Sequence, residues 1–306
     1  MLNFSEEFFQ TQVREGFEVK SMMKKAWAGQ LEVLEEIRKI CARHDLTWFA
    51  DYGTMLGAVR HRGFIPWDDD MDIGMTRDHL NAFVRYAKEE LPQGYKILAM
   101  DLEPEYDSLI IRVVNGTEVS MNLERLEKYH GCPYVLGVDI FPYDYLSRNQ
   151  EERELHLQLM EIILRAVDTI TAPEISKEEV EAYLSQVEEL TGCTIDRNKP
   201  LTVAMIGLAE KLGSIYGPED GDEVTGIWRI ILQKNYSFPK EWFAKENLVE
   251  MPFENVTVPV SKFFDPILTL KYGSNYMTPK MVMDHDYPFY KGQEEIFKNI
   301  YGYIPE

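Results

Sequence analysis

The chain has 306 residues, 45% of them hydrophobic and 12% aromatic, which is ample for a substantial core in one large domain or two smaller ones. A formal net charge of -20 with no basic stripe argues against a nucleic-acid partner, so an anionic substrate must be met by local positive groups or by metal ions. No apolar run is long enough to cross a bilayer, and the start, MLNFSEEFFQ, has neither the basic nor the apolar region of a leader; a cytoplasmic protein without an integral membrane segment is expected.

Residues 1–20 are acidic and aromatic, with Phe4, Phe8, Phe9 and Phe17 available to pack as an N-terminal arm. From Ser21 to Arg43, Trp27, Leu31, Leu34, Ile37 and Cys41 recur every three or four residues, which predicts an amphipathic helix covering one face of a sheet. A buried strand is expected over Leu46 to Ala50, a turn at Asp51 to Thr54, and a short helix from Thr54 to His61 ended by Gly63. Thr76 suits the N-cap of a helix running to Glu90, followed by strands over Tyr95 to Met100, Leu109 to Asn115 and Gly137 to Tyr145. From Gln150 the pattern becomes helical, with segments over Glu151 to Thr169, Ser176 to Leu190, Leu201 to Ile215 and Val224 to Gln233. A hairpin is expected over Leu248 to Val258, then a helix from Ser261 to Lys271 with Gly273 as its C-cap. The three cysteines, Cys41, Cys132 and Cys193, show no CxxC spacing and read as reduced thiols, two of them buried.

The stretch GTMLGAVRHRGFIPWDDDMDIGM, Gly53 to Met75, concentrates the chemistry. If Trp67 to Gly74 is extended, Asp68, Asp70 and Asp72 fall on one face and Asp69 and Met71 on the other. Three like charges on one side are costly unless a cation joins them, and oxygen ligands suit a hard divalent ion such as Mg²⁺ or Mn²⁺. The bland alternative is a solvated acidic turn, which the apolar flanks Phe64, Ile65, Trp67 and Ile73 disfavour. A helix start after a strand and a glycine offers free N–H groups to a phosphate, so Gly53 and Thr54 are candidate phosphate binders. Arg60 and Arg62 follow it as further phosphate candidates, and Arg112, midway along LIIRVVN, is another. Asp139, in GVDIFPYDY, faces away from its β-branched neighbours and is the candidate third carboxylate. His285, between Asp284 and Asp286, sits where its protonated form is favoured and is a candidate substrate contact.

The Gly53-Thr54 start, the Asp70-Met71-Asp72 pair and the later Asp139 resemble the nucleotidyltransferase superfamily, and the full wording resembles the LicD family of phosphocholine transferases. The WFADYG approach, the VDIFPYD strand and PVSKFFDPILTLKYGSNYMTPK are similar to the same family. The resemblance implies an α+β fold with a nucleotidyltransferase-like mixed sheet flanked by helices and a helical insertion. Residues 1–149 would form the catalytic core, 150–235 the helical subdomain, and 236–306 a segment packing back on the core. It further implies Asp70, Asp72 and Asp139 as catalytic metal ligands, and transfer of phosphocholine from CDP-choline to a hydroxyl of a cell-surface glycan of teichoic acid or lipopolysaccharide type. Such a reaction would run on the cytoplasmic side, with the protein in the cytoplasm or peripheral to the inner face of the membrane. Trp67, Tyr272 and Tyr287 would cage a quaternary ammonium, with packing as the commoner role for such rings. A related CDP-alcohol donor carrying ribitol or glycerol phosphate, and a non-catalytic nucleotide-binding module, are the alternative readings.

Overall fold

The computed structural model describes residues 1–226, 228, 236–282 and 287–305. The N-terminal arm holds a 3-10 turn over Glu6–Phe9 and a small antiparallel hairpin, β1 (Gln12–Arg14) and β2 (Phe17–Val19). Glu15 and Gly16, both at positive φ, make its two-residue turn, and a hairpin too short for an alternating pattern is not foreshadowed by the sequence. Helix α1 (Ser21–Arg43) has the expected bounds, and Trp27, Leu31, Leu34 and Ile37 are buried as its spacing requires.

The chain then runs through β3 (Phe49–Ala50), α2 (Tyr52–Arg60), β4 (Asp72–Thr76), α3 (Arg77–Glu90), β5 (Lys96–Leu98), β6 (Ile111–Val114), α4 (Leu123–Lys128) and β7 (Gly137–Leu146). These strands form a mixed sheet in the order β3-β4-β7-β6-β5, with β4 and β7 parallel and the other neighbours antiparallel. The parallel pair sets Asp72 opposite Asp139, and the antiparallel pair β6–β7 sets Arg112 opposite Asp139. The sheet core is β-branched and aromatic: Ile73, Val113, Val138, Ile140, Phe49 and Tyr143 are all fully buried.

Helices α5 (Gln150–Ile170), α6 (Lys177–Thr191) and α7 (Leu201–Gly213) follow, and their inward faces form a second apolar cluster around Met160, Ile163, Leu184, Met205 and Trp228. Ser176 and Glu179 form a capping box at the start of α6, and Gly192 ends it in the left-handed conformation. Where a helix was expected over residues 224–233, Val224 and Thr225 belong to a strand, β8 (Glu223–Thr225), paired with the far end of β7 and with β9 (Phe238–Pro239). The β-branched Val-Thr pair favours the pleated surface over a helix. Residues 227 and 229–233 of that expected helix lie outside the described residues.

The C-terminal part carries the hairpin β10 (Leu248–Phe253) and β11 (Val256–Ser261), then α8 (Phe264–Tyr272), capped by Gly273 at φ 87°, and α9 (Lys291–Tyr301). Phe253, Val258, Val260, Ile267 and Leu268 join the main core, so this segment packs on the sheet side of the molecule. Cys41 and Cys132 are buried, with thiols pushed up to about 12 by burial, while Cys193 is exposed. No helix among the described residues is long and apolar enough to cross a membrane. The architecture is α+β: a mixed sheet flanked by helices.

Candidate active site

The start of α2 is stitched to the start of β4. Asp51 caps the helix, its Oδ1 accepting from the Tyr52 backbone N–H at 2.8 Å, and its own N–H donates to the Asp72 carbonyl at 3.0 Å. The Asp72 N–H donates to Thr54 Oγ1 at 2.8 Å. Thr54 is therefore buried and committed to the protein backbone, and it is Asp51, three residues earlier, that starts the helix. From α8, the buried Lys271 ammonium donates to Asp51 Oδ1 and to the Tyr143 hydroxyl at 3.1 Å, and lies 3.6 Å from the Tyr52 ring centroid. Burial pushes the Lys271 ammonium pKa below its ordinary value, against the pull of the Asp51 charge.

Residues 67–71 form a turn and loop leading into β4, and Asp68 N–H donates to the Ile65 carbonyl at 2.9 Å. Helix α1 supports this loop from below: Trp27 Nε1 donates to the Asp68 carbonyl at 3.1 Å and Gln30 Nε2 to the Asp69 carbonyl at 2.9 Å. The two-sided division expected of the aspartates survives the loss of strand geometry. Asp68, Asp70 and Asp72 line one cavity of about 520 Å³, whereas Asp69 is fully buried and its Oδ2 accepts from the Phe289 N–H at 2.6 Å. Asp139 lines the same cavity from β7.

Around this acidic floor stand Tyr52, Trp67, Phe141, Tyr272, Tyr276 and Tyr287, with Leu56, Ile65, Ile110 and Val282 between them. The cationic lining is Arg60, whose guanidinium also donates to the Tyr276 carbonyl at 2.5 Å, and Lys280. Gly53 lines the cavity too: a Cβ there would lie 2.1 Å from Asp68 Oδ2, so the Asp68 carboxylate rests directly on the first turn of α2, where a phosphate was anticipated. Arg62 is exposed at φ 58°, its carbonyl accepting from the Glu254 N–H at 2.8 Å, and it is not part of the lining. Arg112 also stands outside the lining and makes a two-pronged ion pair with both carboxylate oxygens of Asp139. His285 lies outside the described residues.

Burial, then the charges of Asp70, Asp139 and Asp68, push the Asp72 carboxyl well above the usual carboxylate range, and burial with Asp70 does the same to Asp68. Among the described residues no three His, Cys, Asp or Glu side chains already converge as a metal site. The donor chemistry nonetheless fits a hard divalent cation, because Asp70 and Asp72 offer only carboxylate oxygen and stand against like charge. Asp139 fits as the third ligand only once its oxygens leave Arg112.

Sequence reasoning missed Tyr52, Tyr276, Lys271 and Lys280. Tyr52 and Tyr276 carried no signal beyond being aromatic, and Lys271 meets Asp51 across 220 residues of chain.

Residues 45–158 match the family model described as LicD/FKTN/FKRP, nucleotidyltransferase domain. Over 115 residues the chain is 34% identical to the lipopolysaccharide cholinephosphotransferase LicD of Haemophilus influenzae, covering 37% of this chain and 41% of that protein. An uncharacterized protein of Rickettsia typhi is 32% identical over 66 residues, or 22% of this chain and 21% of its own length, and one of Rickettsia prowazekii is 36% identical over 47 residues, or 15% and 18%. The chain thus spans about two fifths of the length of the Haemophilus protein. The matched segment contains Gly53, Asp70, Asp72, Arg112 and Asp139, that is, the floor of the cavity and the strands that align it. Residues 45–158, which carry the floor of the cavity, are thus similar to the LicD/FKTN/FKRP nucleotidyltransferase domains.

Proposed function

We propose that the protein is a phosphotransferase that moves phosphocholine from CDP-choline to a hydroxyl of a cell-surface glycan. The observation that carries this reading is the joining of Asp70, Asp72 and Asp139 in one cavity with the first turn of α2 and a wall of tyrosine and tryptophan rings. The Haemophilus relative is named for cholinephosphate transfer and for lipopolysaccharide, which favours a glycan acceptor of that type over teichoic acid.

The acceptor hydroxyl oxygen forms a bond to the phosphorus of the phosphocholine group, the bond from that phosphorus to the bridging oxygen breaks, and CMP leaves with the electron pair. Asp139 takes the hydroxyl proton, being a carboxylate that lines the cavity beside Asp72. A Mg²⁺ or Mn²⁺ ion held by Asp70, Asp72 and Asp139 would supply charge neutralisation on the transferred phosphoryl group and the departing CMP. Thr54 and Asp51 fix the backbone of Asp72 from both sides, so its carboxylate is oriented before substrate arrives. Arg60 and Lys280 are the cations that meet the donor's diphosphate. Trp67, Tyr272 and Tyr287 attract the trimethylammonium group, each ring by about 0.5–2 kcal/mol.

The test is thermal-shift titration and CMP release with CDP-choline, CDP-ribitol and CDP-glycerol, each with and without Mg²⁺, on the wild type and Asp72→Asn. The expected outcome is a Mg²⁺-dependent shift and turnover with CDP-choline, and a loss of at least about 100-fold in kcat for the variant, the scale of a removed electrostatic contact. Absence of a Mg²⁺-dependent response to all three donors, or wild-type turnover by Asp72→Asn, would refute the reading.

A further inference from the structure

Arg77 and Arg112 each hold a carboxylate of β7, and they do so differently. Arg77 is 5% exposed in its side chain and is gripped by both Asp144 and Glu210. Arg112 is 50% exposed, and its ion pair is with Asp139 alone among the described residues. The register places Asp139 between Arg112 on one neighbouring strand and Asp72 on the other. The carboxylate lines the cavity and the guanidinium does not, so Arg112 reaches Asp139 from the β6 side and leaves the cavity side open.

This geometry has a consequence for any cation entering between Asp72 and Asp139. It would claim oxygens that the guanidinium now holds, and it would set like charge against Arg112. Among the described residues no second acid forms an ion pair with Arg112, and water already reaches half of its side chain, so release needs only a change of rotamer.

We propose that Arg112 is an exchangeable counterion of Asp139: it neutralises the carboxylate while the site is empty and yields it to a divalent cation. It is a positioning residue, holding Asp139 in line with Asp72 until the cation arrives. Freed from Asp139, the guanidinium is released at the edge of the cavity, where it is available to donor phosphate. The inference rests on the divalent-cation reading of the site given above.

Mn²⁺ binding, followed by the electron paramagnetic resonance signal of the free ion, tests it in the wild type, Arg112→Met, Arg112→Gln and Asp139→Asn. With a competitor removed, both Arg112 variants should bind Mn²⁺ about two- to fivefold more tightly than wild type, the range spanned by solvent-accessible ion pairs. The gain should vanish when either is combined with Asp139→Asn. Unchanged or weaker Mn²⁺ affinity in both Arg112 variants, in the presence of wild-type binding, overturns the counterion role alone. Failure of the wild type to bind Mn²⁺ overturns the cation site and this role together. The use of two replacements with measured thermal midpoints separates a lost fold from a lost contact.

Discussion

Replacing Gly53 by alanine separates what the first turn of α2 does for stability from what it does for chemistry. Gly53 is the second residue of the helix and does not take a left-handed φ, so the backbone makes no demand for glycine. Alanine in a helix is favoured over glycine by about 1 kcal/mol. Against this, the new methyl would stand 2.1 Å from Asp68 Oδ2 and 3.1 Å from its Cγ, while the atoms it meets belong to the end of a rotatable side chain. Turning that carboxylate off its rotamer costs about 0.5–1.5 kcal/mol. The two terms nearly cancel, and with an unfolding entropy of about 2.1 cal/mol/K per residue over 306 residues the midpoint of thermal unfolding should stay within about 2 °C of wild type. The chemistry should not be spared, because Asp68 is driven toward Asp70 and into the space above the helix start. We expect CDP-choline affinity and kcat/KM to fall about tenfold or more, measured by isothermal titration and CMP release on the same preparation whose unfolding is recorded. Wild-type turnover in Gly53→Ala would show that the contact between Asp68 and the helix start is incidental to the reaction. A fall in the midpoint of more than about 5 °C would show that the contact is structural instead.

Two further predictions concern the helical block and its seam with the sheet. Arg77, buried at the start of α3, donates to Asp144 on β7 and Glu210 on α7, and Trp228 Nε1 donates to the second Asp144 oxygen at 2.6 Å. Arg77→Met strands two acids in a dry seam and should cost about 3–5 kcal/mol, or about 5–8 °C by thermal unfolding; a shift under about 2 °C would refute the lock. His156, 2% exposed, donates from Nε2 to the Leu212 carbonyl at 2.8 Å and packs against Trp228, and burial lowers its pKa below 6.5 despite that bond and the nearby Asp144 charge. The unfolded chain therefore takes up this proton first as pH falls, so the His156 contribution is complete above pH about 6.5 and declines below it, by at most about 1.4 kcal/mol per pH unit. Urea unfolding at pH 7.5 and 5.5 should show a larger loss in wild type than in His156→Phe, and equal losses would contradict the assignment.

The parts of the fold written in local pattern were legible. The helix over Ser21–Arg43 and the strand beginning at Gly137 follow from spacing alone, and the capping box at Ser176 marks α6 as the sequence suggests. The N-terminus of α2 was misjudged because Asp51 and Thr54 are both good caps, and only the pairing of Asp51 with Asp72 across the sheet edge decides between them. Helix α9 was missed although Ile296, Phe297, Ile300 and Tyr301 recur at helical spacing; of these four Phe297 is buried, while Ile296, Ile300 and Tyr301 are exposed. The partners of Arg112 and Lys271 were beyond reach for another reason: strand register and the return of α8 are set by the whole core, and no local pattern encodes them.

The same distinction explains how four aspartates in five positions are tolerated. Repulsion within one short run is eased by sending two of the carboxylates away from the others, Asp69 to a distant segment and Asp68 to the start of α2. Asp69 turns inward to the Phe289 N–H and so ties the loop to the segment that carries Tyr287. Asp68 settles on the helix start at Gly53, where the backbone dipoles favour an anion. Asp72 is held by its backbone through Thr54 and Asp51, and the buried Lys271 lies behind Asp51, leaving the Asp72 carboxyl itself facing Asp70 and Asp139. What remains unrelieved lies on the cavity side, among Asp68, Asp70, Asp72 and Asp139, and there Arg112 neutralises one member of the set. Under the proposed function, a protein of net charge -20 whose described cavity wall carries Arg60 and Lys280 as its cations would suit a donor that arrives with its own positive charge, a quaternary ammonium at one end and a divalent ion at the diphosphate. Among the described residues a metal-free CDP-alcohol lacking that ammonium would meet carboxylates on the floor and Arg60 and Lys280 at the wall, which is why the Mg²⁺ and head-group arms of the donor titration are expected to act together rather than separately.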